Sequence, residues 1–172
     1  MRKLRRPAVG VALAALAVLA VLVVLAGCGF HLQRAARLSP AFDAAWLEAA
    51  DAYTDFHRAL DDALRASGSR FAATRNTATA VVEVLVDDSG QRVLSVSALN
   101  KPTEFEVYYT VRYRARFGER EVLPPTVLTL TRDYSFDETA LLAKEREQQL
   151  IREALARDLA ALVVRRLAAL PP

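Results

Sequence analysis

Glu104-Phe105-Glu106-Val107-Tyr108-Tyr109-Thr110-Val111-Arg112-Tyr113-Arg114-Ala115-Arg116-Phe117 alternates apolar and polar side chains almost without interruption. Phe105, Val107, Tyr109, Val111, Tyr113, Ala115 and Phe117 fall on one side, and Glu104, Glu106, Tyr108, Thr110, Arg112, Arg114 and Arg116 on the other. Successive Cβ atoms of a strand point to opposite faces, so this period of two predicts a long strand with one buried and one wet face. A sheet that is wet on one face needs apolar cover on the other, and the flanking sequence supplies it.

Just upstream, Asn100-Lys101-Pro102 reads as a hairpin loop, reached from a strand Val93 to Ala98 that sets Leu94, Val96 and Ala98 on one side. Ala80 to Val86 is a short apolar run, and Asp87-Asp88-Ser89-Gly90 after it has turn composition, so two separate strands are expected here. Ala44 to Ala49, centred on Trp46 and Leu47, reads as a first short strand. Downstream, Pro124-Pro125 is expected to open a strand Thr126 to Tyr134, because proline is tolerated where a strand begins.

The covering elements are helical. Thr54 suits an N-cap, its hydroxyl accepting from an otherwise unpaired helix N–H. Phe56, Leu60, Ala63 and Leu64 follow at helical spacing, and Gly68 can end the helix in a left-handed C-cap. From Glu138 to Leu170 a second, longer helix presents Ile151, Leu155, Leu159, Leu162, Val163, Leu167 and Leu170 as one stripe. Ser135 and Glu138 have capping-box spacing, with Asp137 as the alternative cap, and Pro171-Pro172 stops the helix. Asp137 and Glu138 near its start and Arg165 and Arg166 near its end suit the macrodipole. The half from Leu150 onward is expected to pack on the sheet, while the charged first half is expected to project or fray. The fold class expected is α+β, with two helices packed on one face of a roughly four-stranded sheet.

Ahead of this domain stand Arg2, Lys3, Arg5 and Arg6, an uncharged run from Pro7 to Ala26, and Leu25-Ala26-Gly27-Cys28 with the only cysteine. A basic start, an apolar stretch and small residues before a cut site make a secretory signal. The ending resembles the lipobox of bacterial lipoproteins, which implies that the Cys28 thiolate is alkylated by diacylglycerol and becomes the mature N-terminus. The run is also long enough to span a bilayer, and the placement of the cysteine favours the lipoprotein reading. The basic start orients the chain for export either way. Gly29, where an aspartate would resemble an inner-membrane retention signal, favours the outer membrane. The expected organisation is a signal peptide over 1–27, a lipidated tether over 28–40 and a single α+β domain over 41–172.

Removing 1–27 takes four of the 23 Lys and Arg and none of the 20 acidic residues, leaving 19 against 20. The basic balance of the whole chain thus belongs to the signal, and a nucleic-acid partner is not expected. With Cys28 lipidated no thiol remains for a disulfide, so stability must come from apolar packing.

Catalytic chemistry finds no constellation to stand on. His31 falls in the tether and His57 in the first turn of a helix, so no histidine cluster forms for a metal or a general base. Gly-x-Ser-x-Gly, phosphate-loop and His-Glu-x-x-His patterns are missing. Asp61-Asp62 reads as a solvated helix face, Asp87-Asp88 as a turn and Lys144-Glu145-Arg146-Glu147 as an exposed helical face. Arg112, Arg114 and Arg116 line one side of the long strand and could engage phosphates, though a wet sheet face with Glu partners on a neighbouring strand accounts for them first. No enzyme activity, cofactor or metal is expected.

Cys28-Gly29-Phe30-His31-Leu32, Thr103-Glu104-Phe105 and Arg132-Asp133-Tyr134-Ser135-Phe136-Asp137, continued by Leu142-Ala143-Lys144-Glu145, together resemble the LPS-assembly lipoprotein family, LptE. The resemblance covers most of the mature chain and rests on the order and spacing of these segments. It implies a non-enzymatic outer-membrane lipoprotein that plugs and helps assemble the large β-barrel LptD and binds lipopolysaccharide on its way to the cell surface. Family contacts to lipopolysaccharide fall on basic residues of the hairpin and of the start of the last helix. Lys144 occupies the matching helix position; in the hairpin Ala98 stands near the family's basic position, and Lys101 is the nearby cation. The alternative is an accessory lipoprotein of another envelope lipid-transport system, with the same anchor and a different partner.

Overall fold

A computed structural model describes residues 37–171. The signal, Cys28, His31 and the tether up to residue 36 lie outside the described residues. Within them the order is a 3-10 turn Pro40–Phe42, β1 Ala45–Ala49, α1 Asp55–Ala66, a 3-10 turn Arg75–Thr77, β2 Ala80–Val96, β3 Pro102–Phe117, β4 Arg120–Ser135, a 3-10 turn Glu138–Ala140 and α2 Leu141–Ala168. The four strands form one sheet in chain order, β1-β2-β3-β4. β1 runs parallel to β2, as a strand–helix–strand crossover allows, and the other pairs are antiparallel hairpins.

The α+β expectation holds. Val107, Tyr109, Val111, Tyr113 and Ala115 of β3 are buried, as their alternation requires. They meet Phe56, Leu60 and Leu64 of α1 and Leu155, Leu159, Val163 and Leu167 of α2 in one core. Thr54 caps α1 by accepting from the His57 N–H at 3.0 Å. At the other end Gly68 has φ +95°, donates to Arg65 O, and leaves Ser69 N–H to reach Leu64 O. This pair of bonds satisfies the last carbonyls of α1, and the left-handed residue between them favours glycine.

Three sequence expectations are corrected. Asp87-Asp88-Ser89-Gly90 is not a turn: β2 is continuous for 17 residues, and Ala80 to Val86 and Val93 onward are one strand. A register shift between Val84 and Val86 turns Asp87 inward, opposite Val111, where its carboxylate accepts from the Thr54 hydroxyl at 2.6 Å and the Tyr109 hydroxyl at 2.8 Å. Gly90 stays in the strand because Tyr108 lies across it: a Cβ there would stand 2.6 Å from the Tyr108 Oη. Second, Pro124-Pro125 does not open the last strand but sits inside β4, which begins at Arg120. β4 is an edge strand with register shifts opposite Ala115, so two missing donors are tolerated there. Third, Ser135 ends β4 instead of capping a helix, and the cap is Asp137, which accepts from the Thr139 N–H at 2.9 Å to start the 3-10 turn before α2.

α2 is one helix of 28 residues, about 42 Å at ~1.5 Å per residue. Its buried face begins at Leu155, while Leu141, Leu142 and Leu150 are exposed. Arg152 pairs with Asp55 at 3.0 Å and Arg132 with Asp158 at 3.3 Å, tying α2 to the start of α1 and to β4. The opposite face of the sheet carries the polar residues of β3, and among the described residues no helix covers it.

Candidate functional site

The tip of the β2–β3 hairpin and the entry to α2 meet at one end of the sheet. Ser97 to Lys101 close the hairpin: Ser97 N–H donates to Lys101 O at 2.8 Å and Asn100 N–H to Ser97 O at 2.9 Å. Asn100 takes φ +57°, a conformation asparagine tolerates better than most residues. The hairpin hands Lys101 to the other element, where its Nζ stands 2.5 Å from the Glu138 carboxylate. Both partners are more than half exposed, so this contact places the chain more than it stabilises it.

Lys144 lies one turn into α2. Its side chain is 18% exposed and its Nζ stands 2.8 Å from the Glu147 carboxylate. At the same end of the sheet Phe105 of β3 stacks on Tyr134 of β4 at 5.8 Å and meets the edge of Phe136, just past β4, at 5.1 Å. Tyr134 donates to Gln91 Oε1 at 2.9 Å. Burial raises the Tyr134 phenol above its ordinary pKa, the Glu147 charge adds to this, and the Lys144 charge opposes it. Asp137 is pulled the other way, below the usual carboxylate range, first by the Thr139 hydroxyl and backbone and then by Lys144. Lys144 stands one turn after the Glu138–Ala140 turn, so it lies at the end of α2 that Lys101 reaches through Glu138. Leu99 and Leu142, each 80% exposed, flank the two lysines in sequence. The structure therefore brings Lys101 and Lys144 to the same end of the molecule, as cations beside apolar and aromatic surface.

Arg112, Arg114 and Arg116 take the wet-face role. Arg114 grips Glu83 on β2 at 2.5 Å, Arg116 holds Glu119 at 2.9 Å, and Arg112 stands exposed between Val86 and Val127. Glu83, only 6% exposed, is also met by Arg75, which reaches on to Glu48. This chain of charges pins the Arg75–Thr77 turn onto the sheet. A polar cavity of about 400 Å³ between Arg75 and Arg116 opens beside it and holds no nucleophile–base pair. Asp61 is occupied by Arg65 on the helix surface. Among the described residues no group of His, Cys, Asp and Glu is spaced to hold a metal, and no helix is long and apolar enough to cross a membrane.

Sequence reasoning missed the Thr54–Asp87–Tyr109 network and the burial of Glu83. Nothing in Asp-Asp-Ser-Gly distinguishes a turn from a strand whose inward carboxylate is met by two hydroxyls. Glu83, by contrast, lies opposite Arg114 once the strands are paired.

These features define a class: a small α+β domain with a four-stranded sheet covered by two helices and a lysine-bearing corner where the β2–β3 hairpin meets the entry to α2. The family is then identified by comparison. Residues 42–167 match the family model LptE, lipopolysaccharide-assembly, and the chain belongs to that family. It is 28% identical over 146 residues to the LPS-assembly lipoprotein LptE of Pectobacterium atrosepticum, covering 84% of this chain and 78% of that protein. The fold is shared with lipoprotein B of Nitrosomonas europaea (TM-score 0.68, 22% identity, 82% of this chain and 91% of that one). It is shared too with the rare lipoprotein B of Shewanella oneidensis (TM-score 0.64, 23% identity, 73% and 93%). A minor lipoprotein of Acinetobacter baumannii has it as well (TM-score 0.63, 22% identity, 76% and 95%). The family is one of lipopolysaccharide-assembly lipoproteins of the cell envelope and not a family of enzymes.

Proposed function

We propose that this chain is an outer-membrane lipoprotein, anchored through Cys28 after removal of 1–27, that plugs and helps assemble an LptD-like β-barrel and binds lipopolysaccharide during export. Residues 28–40 are its tether and 41–172 its working domain. The observation that supports this reading is the Lys101–Glu138 corner, which unites hairpin tip and helix entry, with Lys144 in the first turn of the same helix. Anionic headgroups suit the two ammonium groups, and exposed Leu99 and Leu142 suit apolar chains. The sheet face that no described helix covers is polar enough to lie in a hydrophilic barrel lumen. The acyl chains on Cys28 would stay in the surrounding lipid, each buried methylene contributing about 0.8 kcal/mol, so that several chains hold the subunit for its lifetime. The family match does not favour an accessory lipoprotein of another lipid-transport system.

Lys144→Glu tests the lipopolysaccharide contact. Replacing an attracting by a repelling charge is expected to weaken binding about tenfold, a loss of ~1.4 kcal/mol, with the melting curve nearly unchanged. Equal affinity with equal melting would remove Lys144 from the site.

A further inference from the structure

The cavity of about 400 Å³ between the Arg75–Thr77 turn and the β3–β4 turn lies at the end of the sheet away from the lysine corner. The two ends are about 50 Å apart along β3 at ~3.3 Å per residue. Its volume falls within the range of small-ligand sites, about 300–1,000 Å³. Val81, itself buried, stands opposite Arg116 in the β2–β3 ladder, so both line the cavity from one face of the sheet. Arg75 and Asn76 line it from the first turn and Glu119 from the second.

Two guanidiniums from separate elements thus border one polar space, and the carboxylates around them are unequally engaged. Glu83 is held by Arg114 at 2.5 Å and stands farther from Arg75, at 3.3 Å. Arg75 therefore shares its charge chiefly with Glu48, which is 2.9 Å away and about half exposed. Arg116 meets Glu119 at 2.9 Å, and that side chain is fully exposed. Glu121, opposite Arg116 on β4, is exposed and does not line the cavity. Exposed ion pairs contribute little, so an entering anion can replace Glu119 on Arg116. One guanidinium fork satisfies a carboxylate, whereas a phosphate has oxygens enough for both forks and the Asn76 amide together.

The described chain also begins at this end. Thr79, just before β2, donates from its hydroxyl to Ala41 O at 2.7 Å and from its N–H to Ala44 O at 2.8 Å. Arg37, the first described residue, follows Cys28 by nine positions, which span at most about 30 Å. We propose that this cavity binds a phosphate group, free or carried on a lipid headgroup, between the Arg75 and Arg116 guanidiniums. The chemistry of the cavity does not rest on the proposed function; only its nearness to a lipid surface rests on anchoring through Cys28.

The test titrates the full-length chain in nonionic detergent, at constant ionic strength, with inorganic phosphate and then with phosphatidic acid in the same micelles. Binding is read as heat by calorimetry and in the emission of Trp46, the only tryptophan, which stands beside Val81 in the β1–β2 ladder. Saturable binding of phosphate, and none of chloride, is expected. Arg116→Gln should weaken it at least about tenfold with the melting curve unchanged, because the partner it loses is exposed. Glu119→Gln removes the competing carboxylate and should tighten it, while Arg112→Gln, outside the cavity, should leave it as it is. Tighter binding of phosphatidic acid than of inorganic phosphate, lost in Arg116→Gln, identifies a lipid headgroup as the source; equal affinity identifies a soluble phosphate. No saturable binding of either probe overturns the proposal, and so does binding indifferent to Arg116→Gln.

Discussion

Asp87 shows how one carboxylate can decide the path of a strand. Its two oxygens accept from Thr54 and Tyr109, and the same Tyr109 oxygen accepts from the Phe56 N–H at 3.1 Å, so the first turn of α1 hangs on the sheet through this group. Asp87→Ala would leave the buried Tyr109 hydroxyl without its acceptor. It is expected to cost about 1–3 kcal/mol in urea unfolding. The same network sets the alkaline limit. Burial, with Asp87 adding, lifts the Tyr109 phenol well above its ordinary value of 10.0, and burial also lifts Tyr113 and Tyr134. The native state then holds protons that the unfolded chain releases, so their contribution is complete below pH ~10 and is lost as pH rises beyond it. Unfolding free energies measured from pH 8 to 11 should fall above pH ~10, and less steeply in Tyr109→Phe. None of this was legible in the sequence, because the inward turn of Asp87 arises from a register shift that only strand pairing creates.

Among the elements, β1, β3 and the two helices were legible and the extents of β2 and β4 were not, for a physical reason. β3 alternates over its whole length because it is central, with helices on one face and water on the other. α1 announces both ends through Thr54 and Gly68, since unpaired groups at helix termini need particular side chains and backbone angles. β2 changes character at Val84, where β1 ends, and β4 tolerates prolines because among the described residues no strand pairs with its outer edge. α2 divides in the same way: the stripe from Leu155 to Leu167 carries the core, and the turns before it remain solvated. Leu159, fully buried, is expected to cost about 2–5 kcal/mol when replaced by alanine, read from the urea midpoint at unchanged slope. A loss below about 1 kcal/mol would mean that α2 is not held by this stripe.

For the whole molecule, the family and the lipoprotein character were readable from short segments, Cys28-Gly29-Phe30-His31-Leu32 and Leu142-Ala143-Lys144-Glu145 among them. What the sequence could not show was that Lys101 and Lys144, 43 positions apart, come to one end of the sheet, since that follows from the hairpin tip reaching Glu138. On the proposed function, the lysine corner would meet an anionic amphiphile and the polar sheet face, which no described helix covers, a hydrophilic wall. The most direct test of that function is affinity purification of the native protein from detergent-solubilised outer membranes of its host, with mass spectrometry of everything retained. The account predicts an equimolar, high-salt-resistant complex with one large β-barrel protein, and fatty acyl chains on Cys28. Recovery of the chain alone, with a free thiol at that position, would contradict it.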